Sequence, residues 1–300
     1  MLTPNPIAFS VFGIEIRWYA ICILTGIVLA LLVGSRTLKK LGIDTDIIYD
    51  YLIVCLPLGI IGARLYYVLF EWSYYSNHLS DIYKIWNGGL AIHGGLIGAF
   101  IGIYLVSRSK KLNVLFILDI VAPCFLLAQS IGRWGNFFNM EAHGVQTTLP
   151  WAINVIDPVL GSIMVHPTFL YESIWDFLGF LLLYFIIDKK FKKYDGELIC
   201  SYFIYYSIGR FFIEGLRTDS LMIFGLRTAQ LVSLALIIIG IVGIVIIRKT
   251  HKKENIKDKA YENICLEKNE QDNVTDINTE KICEDNKTEN IKSKDNLGKE

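Results

Sequence analysis

Runs of mostly apolar residues, each close to the length needed to cross a bilayer, constrain this chain more than any other feature of its sequence. A hydrocarbon layer of ~30 Å takes about 20 residues in helical form. The runs cover residues 18–33, 48–70, 90–106, 114–131, 169–187, 198–213 and 226–247. Several are interrupted by Gly, Pro or a charge, which lipid tolerates only where neighbouring helices or water satisfy the exposed groups. The pattern therefore predicts an all-α integral membrane protein, a packed seven-transmembrane-helix bundle rather than separate anchors. Basic residues gather in alternate connections: Arg36/Lys39/Lys40, Arg108/Lys110/Lys111, Lys189/Lys190/Lys192/Lys193 and Arg248/Lys249/Lys252/Lys253. The positive-inside rule then puts the N-terminus outside and the C-terminus in the cytoplasm.

Charge is spread unevenly. Of 29 Lys+Arg and 29 Asp+Glu, residues 251–300 hold 10 and 13, so the body at 1–250 is far less charged than a soluble domain. That segment is too polar and too poor in aromatics to bury a core, and it reads as a disordered cytoplasmic tail. Neither part has the one-sided basic balance that nucleic-acid binding needs. Cys22, Cys55, Cys124 and Cys200 sit singly in apolar runs, and Cys265 and Cys283 lie in the tail. Without CxxC or Cys/His spacing, neither disulfides nor a structural metal are expected. The first residues lack a basic n-region and an A-x-A site, so no cleaved signal peptide is expected.

Polar residues inside the runs fall near their outer ends. Tyr206, Arg210, Glu214 and Arg217 in the sixth run lie at offsets that share one helical face. An Arg at that depth costs at least ~2.5 kcal/mol on insertion scales. An Arg210–Glu214 pair could serve helix packing alone; a second Arg without a second acid on that stripe leaves positive charge suited to an anion such as phosphate. After the fourth run, GRWGNFFNMEAHG (132–144) supplies Arg133, Asn136, Asn139, Glu141, His143 and Gly144. It reads either as a turn leaving the membrane or as a ligand loop whose donors Glu141 orients. His93 lies between glycine pairs, as a packing residue or as a general base. HPTFLYES (166–173) carries His166, Tyr171 and Glu172 and reads as a capped helix start. Trp18 and Tyr19 suit an interfacial aromatic belt. Arg64, inside the second run, calls for snorkelling, a partner acid or a ligand. Nucleotide-loop, HExxH and GxSxG signatures are absent.

At these residues the sequence resembles the bacterial prolipoprotein diacylglyceryl transferases over about residues 10–247. The likeness rests on RWYA at 17–20, HGGLIGA at 93–99, GRWGNFFNMEAHG at 132–144, HPTFLYES at 166–173 and GRFFIEGLRTDS at 209–220. The resemblance implies a plasma-membrane enzyme with its active site toward the outer leaflet. It would move the diacylglyceryl group of phosphatidylglycerol to the lipobox cysteine thiol of a prolipoprotein signal peptide and release glycerol phosphate. Residues 1–250 then form the catalytic domain, working on membrane lipid with neither metal nor organic cofactor. Arg133 and Arg210 would clamp the phosphate, Glu214 would hold Arg210, and His93 would act as base. Tyr206 and Tyr19 would hydrogen-bond headgroup or thiol, while Asn136, Asn139, Glu141, Gly144, Arg64, Arg217 and His166 line the substrate site. Met140 and Phe169 depart from residues common in the family. A transporter for an anionic solute would place its site near the midplane between related halves, and no internal repeat is visible. A lipid-binding scaffold would keep the arginines without needing His93.

Overall fold

A computed structural model describes residues 4–157, 161–218, 222–223 and 225–250. The expected tail, 251–300, lies outside the described residues. The chain is mostly helical, with α1 (Trp18–Lys40), α2 (Ile47–Phe70), a single turn α3 (Trp72–Tyr75), α4 (Ile92–Ser109), α5 (Val114–Asn139), α6 (Thr168–Leu181), α7 (Glu197–Glu214) and α8 (Thr228–Thr250). A π-helical stretch, Leu182–Phe191, continues α6. By length and composition, α1, α2, α4, α5, α6 with its continuation, and α8 are able to cross a membrane, six candidate spans in all. The expected run at 198–213 is α7, whose 18 residues carry Glu197, Arg210 and Glu214 and so fall short of the others in apolar character. Large apolar side chains such as Leu24, Ile53, Leu65, Leu69 and Ile238 point outward and exposed. Water penalises such a surface and hydrocarbon does not, which marks a multi-pass membrane protein.

Beside the helices there are short antiparallel hairpins, one before α1, one between α5 and α6 and one between α7 and α8. These are β1 (Ile7–Val11) with β2 (Ile14–Arg17), β3 (Ile153–Asp157) with β4 (Gly161–Val165), and β5 (Met222–Ile223) with β6 (Leu226–Arg227). Strands of two to five residues are too short to show a period of two against apolar surroundings.

α5 is the central helix. Half of its apolar stretch is buried, against 11% for α1 and α2. Ala122, Leu126 and Leu127 of α5 pack on Phe180 and Leu183 of the α6 segment and on Leu198 and Tyr202 of α7. Close helix approach is set by missing side chains. A Cβ on Gly98 would fall onto the Leu58 carbonyl, and one on Gly94 onto the Gly62 carbonyl, so α4 lies backbone to backbone on α2. Away from the site, Asp119 fixes the start of α7. Its carboxylate accepts from the Gly196 and Ile199 amides, each at 2.9 Å, and pairs with Lys192 at 3.0 Å.

Candidate active site

α5, α6 and α7 bring the charged groups together. Glu172 and Asp176 are one turn apart on α6, as are Arg210 and Glu214 on α7. The two helices meet closely because a Cβ on Gly209 would overlap the Trp175 ring. Trp175 and Tyr205 then exchange hydrogen bonds, indole N–H to the Tyr205 carbonyl at 3.1 Å and phenol to the Trp175 carbonyl at 3.0 Å. This packing turns the α6 carboxylates toward the α7 arginines.

Glu172, 4% exposed, is the hub. Its carboxylate accepts from Arg133 Nε at 2.9 Å, makes a short hydrogen bond with Arg210 and lies 3.7 Å from Arg217. Glu214 pairs with Arg210 at 2.8 Å and Arg217 at 3.9 Å. Asp176 stands 4.0 Å from Arg133. Tyr206 lines the same cleft as Arg133 and stacks on Tyr202 at 5.6 Å between ring centroids. Arg133, Glu172, Asp176, Tyr206 and Arg210 line one narrow cleft. Among the described residues the cluster thus sets three carboxylates against three guanidinium groups. That corrects the surplus of positive charge expected from α7 alone, because the balancing acids come from the neighbouring helix. In the sequence Glu172 reads only as part of a capped helix start, and Asp176 lies outside the motifs. Two acids four residues apart in an apolar helix are the signal that marks both.

The GRWGNFFNMEAHG segment is not wholly a turn. α5 continues through it to Asn139, so Arg133, Asn136 and Asn139 project from helix, and Met140 ends the helix in the left-handed region at φ 52°. Glu141 accepts from Asn136 at 2.9 Å and Asn139 at 3.4 Å, which ties the helix end to the following turn. Tyr19 packs against Gly135, where a Cβ would sit 2.5 Å from its ring, and Trp18 stacks on Phe138. Phe169 is buried against Trp134 and Phe137, so an aromatic contact occupies that position.

Backbone pairing joins the helix ends around the cluster. The Gly144 amide donates to His166, the His166 amide to Val145, and the Val145 amide to Leu216. A Cβ on Gly144 would lie 2.7 Å from His166 Cβ and 3.1 Å from the Leu216 oxygen, so only glycine fits between them. The His166 ring contacts the Tyr171 hydroxyl at 3.2 Å, which also accepts from the Trp151 indole at 2.8 Å.

Two expected residues sit apart. His93, at the start of α4, stacks on Tyr66 at 5.9 Å between centroids. Among the described residues, no hydrogen bond or ion pair joins it to the arginine cluster. Arg64 is only 6% exposed and spends its donors on the chain's own backbone, not on a partner acid. It donates to the carbonyls of Asp81 at 2.6 Å, Ile82 at 2.7 Å, Gly88 at 2.7 Å and Gly89 at 3.0 Å. This grip ties the 79–89 segment to α2, a structural task that the sequence did not show. In the same segment, hydrogen bonds from Lys84 and Tyr74 hold the Asp81 carboxyl below the usual carboxylate range.

The model of the prolipoprotein diacylglyceryl transferase family matches residues 6–246. The chain belongs to this family. A phosphatidylglycerol–prolipoprotein diacylglyceryl transferase of Clostridium novyi is 51% identical over 261 residues, 85% of this chain and 98% of its own length. The protein of that name from Clostridioides difficile is 49% identical, covering 84% of this chain and 99% of its own. That from Pediococcus pentosaceus is 46% identical, at 85% and 94%. The chain is accordingly a transferase of lipoprotein biosynthesis, and the charged cluster on α5, α6 and α7 lies within the matched region.

Proposed function

We propose that the chain transfers the diacylglyceryl group of phosphatidylglycerol to the lipobox cysteine of a prolipoprotein. The observation that carries the reading is the meeting of Arg133, Arg210 and Arg217 on one buried carboxylate, Glu172. A guanidinium has five N–H donors in a planar fork, and the carboxylates engage only part of those on Arg133 and Arg210. The remainder meet the phosphate of the lipid headgroup. Glu172 and Glu214 hold both forks rigid before substrate arrives.

In the reaction, the thiolate sulfur of the peptide attacks the glycerol carbon that bears the phosphate. The C–S bond forms as the C–O bond breaks, and the electron pair leaves on a phosphate oxygen. Charge builds on glycerol phosphate at the moment of cleavage, and preorganised arginines stabilise it more than they stabilise the bound lipid. A thiol of pKa ~8.5 needs a base near neutrality, and His93 takes its proton. Tyr206 orients Arg133 toward the headgroup, with Tyr19 beside it. Asn136, Asn139, Glu141, Gly144 and His166 build the wall that joins the helix ends.

In this reading α7 crosses the bilayer as a seventh span, its charges shielded by α5 and α6. The N-terminus is outside, the site faces the outer leaflet of the cell membrane, and 1–250 is the catalytic domain. The test is a reconstituted assay with phosphatidylglycerol and a synthetic lipobox peptide. The expected result is a peptide mass gain of one diacylglyceryl group with stoichiometric glycerol phosphate. A folded protein that binds the lipid yet leaves the peptide mass unchanged would defeat the proposal.

A further inference from the structure

Within the arginine cluster, Asp176 is the carboxylate held least closely. Glu172 and Glu214 have cations at 2.9 Å and 2.8 Å, whereas the Asp176 contact is 4.0 Å. Asp176 is nevertheless 2% exposed, and its Oδ2 atom has no hydrogen-bond partner among the described residues. Glu214 Oε2 also lacks a hydrogen bond by geometry, but it lies in direct ionic contact with Arg210. Asp176 lines the same cavity as Arg133, Tyr206 and Arg210. Arg133 faces it from α5, Glu172 from its own helix, and Tyr202, Tyr205 and Arg210 from α7. Glu214 and Arg217 complete the cluster through their pairs with Arg210 and Glu172.

Among the described residues of the cluster three guanidinium groups face three carboxylates, and a phosphodiester brings in one further negative charge. An unbalanced charge held away from water is costly, and the balance returns if one carboxylate takes a proton. Protonating Glu172 or Glu214 would break a close ion pair. Protonating Asp176 gives up only the 4.0 Å contact with Arg133 and converts an acceptor without a hydrogen bond into an O–H donor at the cavity wall. We propose that Asp176 takes up a proton from solvent as the anionic headgroup enters the arginine cluster, so that lipid and proton bind together. The inference rests on the lipid-transfer reading above. One carboxylate and one proton give one carboxyl group, and no other bond changes. The sign follows from linkage: proton uptake on binding makes lipid affinity fall as pH rises, by up to about tenfold per unit for a single proton.

Calorimetric titration of the full chain in detergent with short-chain phosphatidylglycerol, in buffers of different ionisation enthalpy, counts protons taken up per lipid. The parent should take up as many as about one. Asp176→Asn should bind the lipid with no uptake and no pH slope, and Asp176→Glu should restore both. Lipid binding by the parent with zero uptake would overturn the proposal, as would equal uptake by Asp176→Asn. Should Asp176→Asn not fold, His93→Gln decides. Uptake retained in that variant supports Asp176, and uptake lost moves the proton to the histidine and overturns the assignment. A parent that neither binds nor turns over the lipid would defeat the transferase reading itself, a result distinct from binding without uptake.

Discussion

Replacing Glu172 by Gln tests whether one carboxylate organises the site. The substitution keeps the shape of the side chain and removes its charge, leaving Arg133, Arg210 and Arg217 to share Glu214 and Asp176 among the described carboxylates. At an effective dielectric of about 20, the 2.9 Å pair with Arg133 is worth about 6 kcal/mol before desolvation. Desolvation offsets several kcal/mol, so losing one partner of such a buried pair costs about 3–5 kcal/mol net. At about 2–4 °C per kcal/mol for a body of this size, melting in detergent should fall by of order 10 °C. Turnover should fall roughly 10²–10³-fold, the loss expected when a transition-state anion is deprived of fixed donors. Lipid binding should hold or tighten, since the cluster becomes net positive. The assays are thermal unfolding, peptide modification and lipid titration on one preparation. A variant with the parent's melting temperature and turnover would refute the hub role. Weakened lipid binding with normal turnover would refute the charge argument.

Further outcomes follow from other residues. His93→Gln should leave lipid affinity largely intact and lower turnover; equal loss of both, measured by titration and peptide mass, would end the base assignment. Arg64→Ala leaves carbonyls of the 79–89 segment without their donor. At about 1–3 kcal/mol per unsatisfied group, that segment should open to amide hydrogen exchange, and unchanged protection there would contradict the clamp. Gly98→Leu forces a side chain onto the Leu58 carbonyl and should separate α4 from α2, costing about 1–3 kcal/mol or more; an unaltered melting temperature would show that the helices are not in backbone contact.

Tyr206, Arg210 and Glu214 on α7 were legible as a stripe because spacing on one helix fixes which residues share a face, whereas Arg217, expected on that face, lies beyond the helix end at Glu214 and pairs with Gly144. The partners of the stripe were not, because pairing across helices depends on how far each helix is rotated when packed. Glu172 and Asp176 carry a readable i,i+4 signal, yet nothing in the chain's linear order says that they face Arg210 rather than lipid. The glycines of GRWGN suggested a turn at 132. Gly135 is instead inside α5, where it gives room to Tyr19. Arg64 showed itself as an intramembrane charge needing a partner, but its partners are backbone carbonyls, which have no sequence signature. The long apolar runs gave most helices to within a few residues. The hairpins beside them were too short to register, and the charges of α7 that mark the site are what set that helix apart from the other six.

The most direct test of the central claim is turnover of phosphatidylglycerol and a lipobox peptide by reconstituted Arg133→Ala and Arg210→Ala, each compared with the parent. The account predicts that the parent adds a diacylglyceryl group and releases glycerol phosphate, and that each variant loses roughly 10²–10³-fold or more of that rate. Parent-like turnover by both variants would show that the arginine cluster is packing alone and that the phosphate is bound elsewhere.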